Sequence, residues 1–209
     1  FLGVLFLIGC QSSQKSEKII SDNTNPKIPV KEIVIDGFSR PWSMAFLSED
    51  EVLLSEKDGN LLRINLSSKE KHVIKGFPED RSDSLLYHKA DYEPGVYPSR
   101  MPDGIKETFN AGILEVRLDP DFEENSNIYV SYVSKGKGGS TTKVIRARLE
   151  NDSLQHIETI LLALPYSHGM YHYGGGMTFG RDGKLYVTVG ERLFNEDNQP
   201  EIPIAQDLT

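Results

Sequence analysis

The sequence predicts an all-β fold, and three observations support that prediction. Short apolar or alternating runs recur along the chain, polar turns containing Asp-Gly or Asn separate them, and no stretch shows the apolar stripe of an amphipathic helix. The chain has 209 residues, of which 38% are hydrophobic and 26% charged. That size and composition are sufficient for one sizeable domain with a hydrophobic core.

Nine runs are expected to form strands, because they are short, apolar or alternating, and bounded by polar turn residues. In chain order they cover residues 32–36, 43–47, 51–56, 60–66, 112–118, 127–133, 142–149, 177–179 and 184–190. The acidic segment DPDFEEN, residues 119–125, lacks the glycine and final glutamate of an EF-hand loop. A turn between strands is expected there instead.

Three segments repeat one plan along the chain. AFLSEDEVLLSEKDG, VRLDPDFEENSNIYVSYV and MTFGRDGKLYVTVGER each contain a short apolar strand, an acidic turn and a longer strand. Equivalent positions are 72 residues apart from Phe46 to Leu118 and 61 apart from Leu118 to Phe179, enough for a four-stranded sheet with its loops. Such sheets bury both faces when they stack around an axis, which predicts a β-propeller. A β-sandwich could use the same strands but would not require the repeat.

The first ten residues, FLGVLFLIGC, are an apolar run followed directly by a polar one. The run is too short to span a bilayer and is typical of the hydrophobic part of a secretory signal. Its last four residues resemble a bacterial lipobox, so Cys10 is expected to be lipidated; a frayed segment with a buried thiol is the alternative. We expect a signal remnant over 1–10, a flexible tether over 11–29 and the folded domain over 30–209. The protein would then be an exported, membrane-anchored lipoprotein of the periplasm or cell surface.

Charge and cysteine content argue against several classes of protein. The formal net charge is −8 and no basic cluster is present, which disfavours binding to nucleic acid. Cys10 is the single cysteine, so internal disulfides are impossible and a cysteine metal site is disfavoured.

Residues 167–192, SHGMYHYGGGMTFGRDGKLYVTVGER, combine groups that a simple strand connection does not need. Two histidines and three consecutive glycines precede two predicted strands, and a carboxylate follows the second strand. A neutral imidazole accepts a proton at neutral pH, and glycines let a backbone turn tightly or approach a ligand closely. The segment is therefore a candidate for the chemistry of the protein.

Four segments, taken together and in order, resemble one known family. They are RPWSMAFLSED (40–50), NAGILEVRLDPDFEENSNIYVSYV (110–133), HYGGGMTFGRDGKLYVTVGER (172–192) and AQDLT (205–209). From about Val30 onward the chain is similar to the soluble glucose, aldose-sugar and sorbosone dehydrogenases that use pyrroloquinoline quinone (PQQ). The resemblance implies a six-bladed β-propeller. This chain is expected to form about its first half, an open arc of two complete repeat units and the start of a third.

The resemblance also implies an activity. An aldose sugar would be oxidised at its anomeric carbon to the lactone, with hydride passing to PQQ, and Ca²⁺ would activate the quinone. Most ligands of PQQ and Ca²⁺ are expected beyond the residues of this chain. The identities of the sugar and of the electron acceptor are left open.

The same resemblance assigns roles to individual residues. His172 matches the general base that takes the hydroxyl proton, and Glu191 matches a carboxylate that orients or charges the site. Asn110 falls where the family usually has Gln and would donate a hydrogen bond to the substrate. Gly174 and Gly175 would let the backbone approach the planar cofactor.

Each of these assignments has a structural alternative. His172 could be an ordinary loop histidine, and Glu191 could pair with neighbouring Arg192. The nearby His168 could be a loop histidine or a substrate contact. Asn110 could accept hydrogen bonds in a turn, and the glycines could serve only to allow positive φ at a tight strand start.

Two departures from the family bear on the substrate. Gly176 stands where many members carry Arg, so a cation that could support the quinone or the substrate is absent. Residues 79–108 form a longer connection than usual, with aromatic side chains that could stack on a sugar or pack on the fold: Tyr87, Tyr92 and Tyr97. The substrate is therefore not fixed as glucose.

Two other functions are compatible with the sequence. A non-catalytic propeller could bind carbohydrate or a protein partner on the same face. A hydrolase could use Glu191 with a second acid such as Asp182, and would cleave a sugar without an electron acceptor.

Overall fold

The computed structural model describes residues 32–57, 59–82, 111–137, 139–166 and 171–191, together with the backbone of 85–86 and 106–107. The predictions for Cys10, Asn110, the signal remnant, the tether and the three tyrosines of the long connection fall outside the described residues and stay predictions. The described strands belong to the unit Val34–Thr209. No helix among the described residues has the length and apolar character needed to cross a bilayer.

Antiparallel strands dominate the described part of the chain. They are β1 (Pro41–Phe46), β2 (Glu51–Glu56), β3 (Leu61–Asn65), β4 (Lys71–Val73), β5 (Leu85–Leu86), β6 (Lys106–Glu107), β7 (Ile113–Leu118), β8 (Asn127–Gly136), β9 (Gly139–Glu150), β10 (Ser153–Leu162), β11 (Gly174–Phe179) and β12 (Leu185–Val189). A helical turn, α1 (Phe122–Asn125), lies between β7 and β8, where DPDFEEN predicts a turn. That prediction is confirmed.

The described strands form two four-stranded sheets, the first hairpin of a third blade, and a separate two-stranded pair of β5 with β6. Blade 1 has the order β1-β2-β3-β4, blade 2 has the order β7-β8-β9-β10, and β11 pairs with β12 to begin blade 3. Strands β1 and β11 both pack against β7, so the first strands of successive blades are neighbours, as in a β-propeller. The predicted all-β arc of two repeat units and the start of a third is confirmed.

Two apolar interfaces join the blades. Between blades 1 and 2 the buried side chains are Leu53, Leu61, Ile74, Ile113, Val116, Ile128, Val130, Tyr132 and Ile145. Between blades 2 and 3 they are Tyr129, Val144 and Met177, with Phe179, Leu185 and Val187 partly buried around them. Each fully buried side chain of this size contributes about 1.5–3 kcal/mol. These interfaces fix the blades against one another and so position the loop that leads into β11.

A β-bulge recurs at the start of the first strand of each blade. The register shifts there in β1, β7 and β11, where the first strand has one residue more than the strand it pairs with. In every blade a backbone N–H at the bulge donates to a hydroxyl of the second strand at 3.0 Å: Ser43 to Ser55, Glu115 to Ser131, and Gly176 to Thr188. The hydroxyl therefore satisfies a donor that the bulge removes from the sheet.

One predicted strand is absent from the structure, and four strands of the structure were not predicted: β4, β5, β6 and β10. Residues 32–36 form no strand. Ile35 packs beside Phe38 on the face of blade 1 that points away from blade 2, whereas Ile33 and Val34 are exposed, so the apolar run marks neither a ladder nor a fully buried segment. The short strand β4 was not predicted because three residues are too few to show an alternation of apolar and polar side chains. Strand β10 was missed because its ladder slips twice and most of its residues are exposed, which removes the alternation that marks a strand.

Candidate active site

The first strands of the blades begin side by side, at what we call the leading end of the arc. Gly112 precedes β7 with φ +90°, and a Cβ there would lie 1.7 Å from the carbonyl oxygen of Lys57 at the end of β2. A Cβ on Gly175 would lie 2.5 Å from Leu114 Cδ1 in blade 2. Successive blades therefore touch at their leading ends, and His172 lies two residues before β11 at this end.

His172 and Glu191 meet at the leading end of blade 3. The β11–β12 register pairs Gly174 with Val189. Two residues beyond that pair on each chain segment, the same register brings His172 opposite Glu191. His172 Nδ1 and Glu191 Oε1 are in hydrogen-bond contact. Their side chains are 53% and 40% exposed, so a ligand can reach them. The two residues assigned as base and carboxylate partner thus form one accessible pair.

The contact with Glu191 determines which imidazole nitrogen faces a substrate. With the imidazole proton on Nδ1, Nδ1–H donates to the carboxylate and Nε2 keeps its lone pair. Nε2 can then accept the proton of a hydroxyl, and the carboxylate stabilises the imidazolium that forms. The pair therefore has the arrangement of a general base with an orienting carboxylate.

The backbone of His172 is held in an unusual conformation. Its φ of +56° is in the left-handed region, which residues other than glycine adopt rarely and with strain. Gly190 packs against it: a Cβ on Gly190 would lie 1.9 Å from the His172 carbonyl oxygen, and the Gly190 N–H donates to the Tyr173 carbonyl at 3.1 Å. Strain of this kind persists only where neighbours fix it, and such positions cluster at functional sites.

The glycines after His172 are required by packing. Gly174 has φ +72°, and a Cβ there would lie 2.7 Å from the Thr188 carbonyl; Gly175 has φ +89° and is buried against Leu114. In both cases the space a side chain would need is filled by the protein itself. Contact of Gly174 and Gly175 with a cofactor stays a prediction.

Glu115 is a residue that the sequence reasoning missed. Its carboxylate accepts a hydrogen bond from the Met177 N–H at 2.8 Å and another from Arg117 Nε at 2.5 Å, and so links β7 to β11. A Cβ on Gly176 would lie 3.6 Å from the same carboxylate. In this chain the cation that contacts the Glu115 carboxylate is Arg117. It differs in position from the Arg that the family resemblance leads one to expect at Gly176.

The described residues fit the proton-transfer part of a sugar oxidation better than the binding of its cofactors. No group of three or more His, Cys, Asp or Glu side chains in the described ranges is arranged to hold a metal ion. We therefore assign no ligand of PQQ or Ca²⁺ to the described residues on structural grounds.

Asp182 does not support a two-carboxylate hydrolase. It lies in the turn between β11 and β12, whereas Glu191 follows β12, and the five residues of β12 alone span about 15 Å. Its pKa is lowered, chiefly by the hydrogen bond from the Lys184 N–H, so Asp182 could not be the general acid of such a pair, and its distance from Glu191 argues against it as the ionised partner. The hydrolase hypothesis is wrong for this pair of residues.

Comparison with known proteins decides the family. A family model described as Glucose / Sorbosone dehydrogenase matches residues 38–208, which is most of the chain. The chain belongs to the glucose/sorbosone dehydrogenase family.

Relatives of this glucose/sorbosone dehydrogenase family member are longer proteins. It is 26% identical over 183 residues to the aldose sugar dehydrogenase of Escherichia coli strain K12, covering 85% of this chain and 40% of the relative. It is 24% identical over 194 residues to quinoprotein glucose dehydrogenase B of Acinetobacter calcoaceticus, covering 85% and 35%. A solved glucose dehydrogenase matches with a TM-score of 0.60 at 28% identity, covering 79% of this chain and 45% of that one. The chain therefore spans less than half the length of these relatives.

A buried amine in blade 1 of this family member was also missed by the sequence reasoning. Lys57 follows β2 at the leading end, is only 4% exposed, and places Nζ 4.8 Å from the centroid of the Trp42 ring. Burial, and then the charge of Arg40, lower its pKa to about 8. A lysine in the sequence SEKDG gives no sign of burial, because its contact with Trp42 forms only when β1 pairs with β2.

Proposed function

We propose that the whole protein oxidises an aldose sugar at its anomeric carbon to the lactone, with PQQ as the hydride acceptor and Ca²⁺ as its activating ion. Membership of the glucose/sorbosone dehydrogenase family supports the enzyme class. The names of two relatives, an aldose sugar dehydrogenase and a quinoprotein glucose dehydrogenase, support the substrate class and the cofactor. Because the chain spans less than half of those relatives, the proposal concerns the whole protein.

The observation that carries the proposal is the accessible His172–Glu191 pair at the leading end of the arc. His172 Nε2 would take the proton of the anomeric hydroxyl as the C=O bond of the lactone forms. The anomeric hydrogen leaves with its electron pair, and a bound PQQ supplies the two-electron acceptor for it. Glu191 holds the imidazole by Nδ1 and balances the positive charge that His172 acquires.

Three further assignments belong to this proposal. Asn110 would donate a hydrogen bond to a sugar oxygen, and its chain neighbours Ala111 and Gly112 lie at the leading end of blade 2. Gly174 and Gly175 would border the quinone through their backbone. The remaining PQQ and Ca²⁺ ligands would come from other parts of the whole protein.

Dye-linked oxidation of a panel of aldoses by the whole protein, with added PQQ and Ca²⁺, tests this function. His172→Ala should lower kcat by about 10²–10⁴-fold, the usual contribution of a general base. His156→Ala is the matched control, because His156 is also exposed and also has positive φ (+51°) but lies in β10 of blade 2. It should leave kcat unchanged.

Two results would contradict the proposal. Full activity of His172→Ala would remove this histidine as the base. Binding of sugar by the wild-type protein without any electron transfer would instead support the non-catalytic carbohydrate-binding propeller.

A further inference from the structure

We propose that Tyr173, held by two buried hydroxyls of blade 2, is a positioning residue that fixes the catalytic geometry of His172; this inference rests on the function proposed above. Tyr173 directly follows His172 and is 2% exposed, whereas His172 is exposed. The accessible side chain of His172 and the buried side chain of Tyr173 are therefore separated by one peptide bond. Contacts that fix Tyr173 also restrict the backbone of His172.

Two polar groups of Tyr173, its phenol and its carbonyl, are anchored to β9. The phenol oxygen lies 2.6 Å from Ser140 Oγ, and the carbonyl oxygen accepts a hydrogen bond from Thr142 Oγ1 at 2.5 Å. Ser140 and Thr142 are 1% and 0% exposed. Hydrogen bonds shielded from water in this way are expensive to break, so the anchor is rigid.

Blade 2 makes a stiff support for this anchor. Strand β9 is an inner strand of the four-stranded sheet, paired with β8 on one side and β10 on the other. The Tyr173 side chain also packs with Leu114 and Val133 of the same blade. From the other side, the Gly190 N–H donates to the Tyr173 carbonyl, and Glu191 contacts the imidazole. His172 is therefore fixed between blade 2 and the end of β12.

This arrangement restricts the movement of the residue that directly follows His172. The Tyr173 carbonyl receives two donors, one from blade 2 and one from blade 3, so the peptide between Tyr173 and Gly174 cannot rotate without losing a hydrogen bond, and the phenol contact with Ser140 holds the side chain. A shift of Tyr173 would be transmitted through the peptide that it shares with His172, and would move Nε2 away from the sugar hydroxyl and Nδ1 away from Glu191. Misplacement by about 1 Å costs an enzyme up to about 10²-fold in rate.

The same hairpin supplies a matched control. Ser134, at the end of β8, is also fully buried, and its Oγ donates at 2.8 Å to Asp80 on the blade 1 side of the sheet. Ser134→Ala and Thr142→Val each remove one buried hydroxyl from the β8–β9 hairpin. Only Thr142→Val removes a contact with Tyr173.

The experiment uses the whole protein with two readouts. The first is kcat and KM for the aldose that the wild type oxidises best. The second is the ¹⁵N NMR signal of the His172 imidazole in protein labelled on histidine, assigned by its loss in His172→Ala. Thr142→Ser retains the hydroxyl and serves as the conservative rescue, and Tyr173→Phe removes the phenol oxygen while retaining the ring.

Positioning predicts that Thr142→Val lowers kcat about tenfold or more with KM unchanged within about twofold. Thr142→Ser should restore kcat, Tyr173→Phe should show a smaller loss of kcat, and Ser134→Ala should lose thermal stability but keep kcat. The His172 imidazole signal should shift in Thr142→Val and not in Ser134→Ala.

The inference is overturned if Thr142→Val and Ser134→Ala give the same kcat and the same imidazole signal. Absence of sugar oxidation by the wild type would count against the proposed function alone. In that case the imidazole signals of the two variants still decide whether Tyr173 and Thr142 position His172.

Discussion

Lys57 shows how one residue of blade 1 depends on its neighbours across the blade interface. Its amine is enclosed beside the Trp42 ring, and its carbonyl lies against the glycine that opens blade 2. Burial, followed by the charge of Arg40, lowers the pKa of this amine to about 8. In an unfolded chain the pKa of a lysine is about 10.4. The folded protein therefore releases this proton at a lower pH than the unfolded chain does.

Lys57 should make stability rise with pH between about 8 and about 10.4, because in that window the unfolded chain binds more protons than the folded one. The free energy of unfolding should increase across the window by on the order of 1–2 kcal/mol, and Lys57→Met should abolish that increase. Urea unfolding at a series of pH values measures it. Lys75→Met, which removes an exposed amine, is the control; equal pH slopes for the two variants would contradict the prediction.

Sequence reasoning found the site residues that belong to a local motif. His172 and Glu191 lie at the ends of a hairpin whose register follows from its strands, so their contact is implied once the hairpin is recognised. The hydrogen bonds of Ser140 and Thr142 with Tyr173 could not be predicted from the sequence. They join two blades, and they depend on how the faces of those blades pack. Local pattern carries no information about that contact.

At the scale of elements, the repeated bulge links the three first strands to their second strands. The pattern is visible in the sequence once the structure is known: EVLLS, NIYVS and KLYVT each end in the hydroxyl residue that caps the bulge. The repeat itself was predicted, but not the role of its last residue, since Ser and Thr at a strand end usually indicate only a turn. One of the three hydroxyls also reaches the next blade.

Ser131 should contribute more to stability than Ser55. Both are fully buried, but Ser131 Oγ accepts the Glu115 N–H and also donates to the Gly175 carbonyl of blade 3 at 2.6 Å, whereas the contacts of Ser55 stay within blade 1. Ser131→Ala should lower the free energy of unfolding by about 2–3 kcal/mol and Ser55→Ala by about 1 kcal/mol. Urea midpoints at constant m-value measure the difference. If the two substitutions lower the free energy of unfolding equally, the hydrogen bond from Ser131 to blade 3 does not contribute to stability.

At the scale of the molecule, the arc leaves the β1 edge of one face of blade 1 open. Ala45 of β1 packs toward blade 2, so Met44 and Phe46 point to the opposite face, where they are 62% and 58% exposed. Neighbouring apolar side chains exposed to this degree mark a surface that another element covers. In a closed propeller the last blade covers the first, which is the arrangement expected from the family.

Met44→Lys should therefore act differently in two settings. In the 209-residue chain alone the substitution should change stability by less than about 0.5 kcal/mol, because the site is exposed, and should reduce self-association. In the whole protein it should destabilise by about 2–4 kcal/mol, because closure would bury an unpaired charge. Thermal unfolding and sedimentation velocity measure the two effects.

Ile160→Lys separates closure from a general effect of adding charge. Ile160 lies on β10, the last strand of blade 2, and is 41% exposed, so a lysine there should be tolerated in both settings. A destabilisation by Met44→Lys that appears only in the whole protein, and is absent for Ile160→Lys, requires blade 1 to be covered by a later part of the chain. If Met44→Lys is neutral in both settings, the face stays open and the ring does not close against β1.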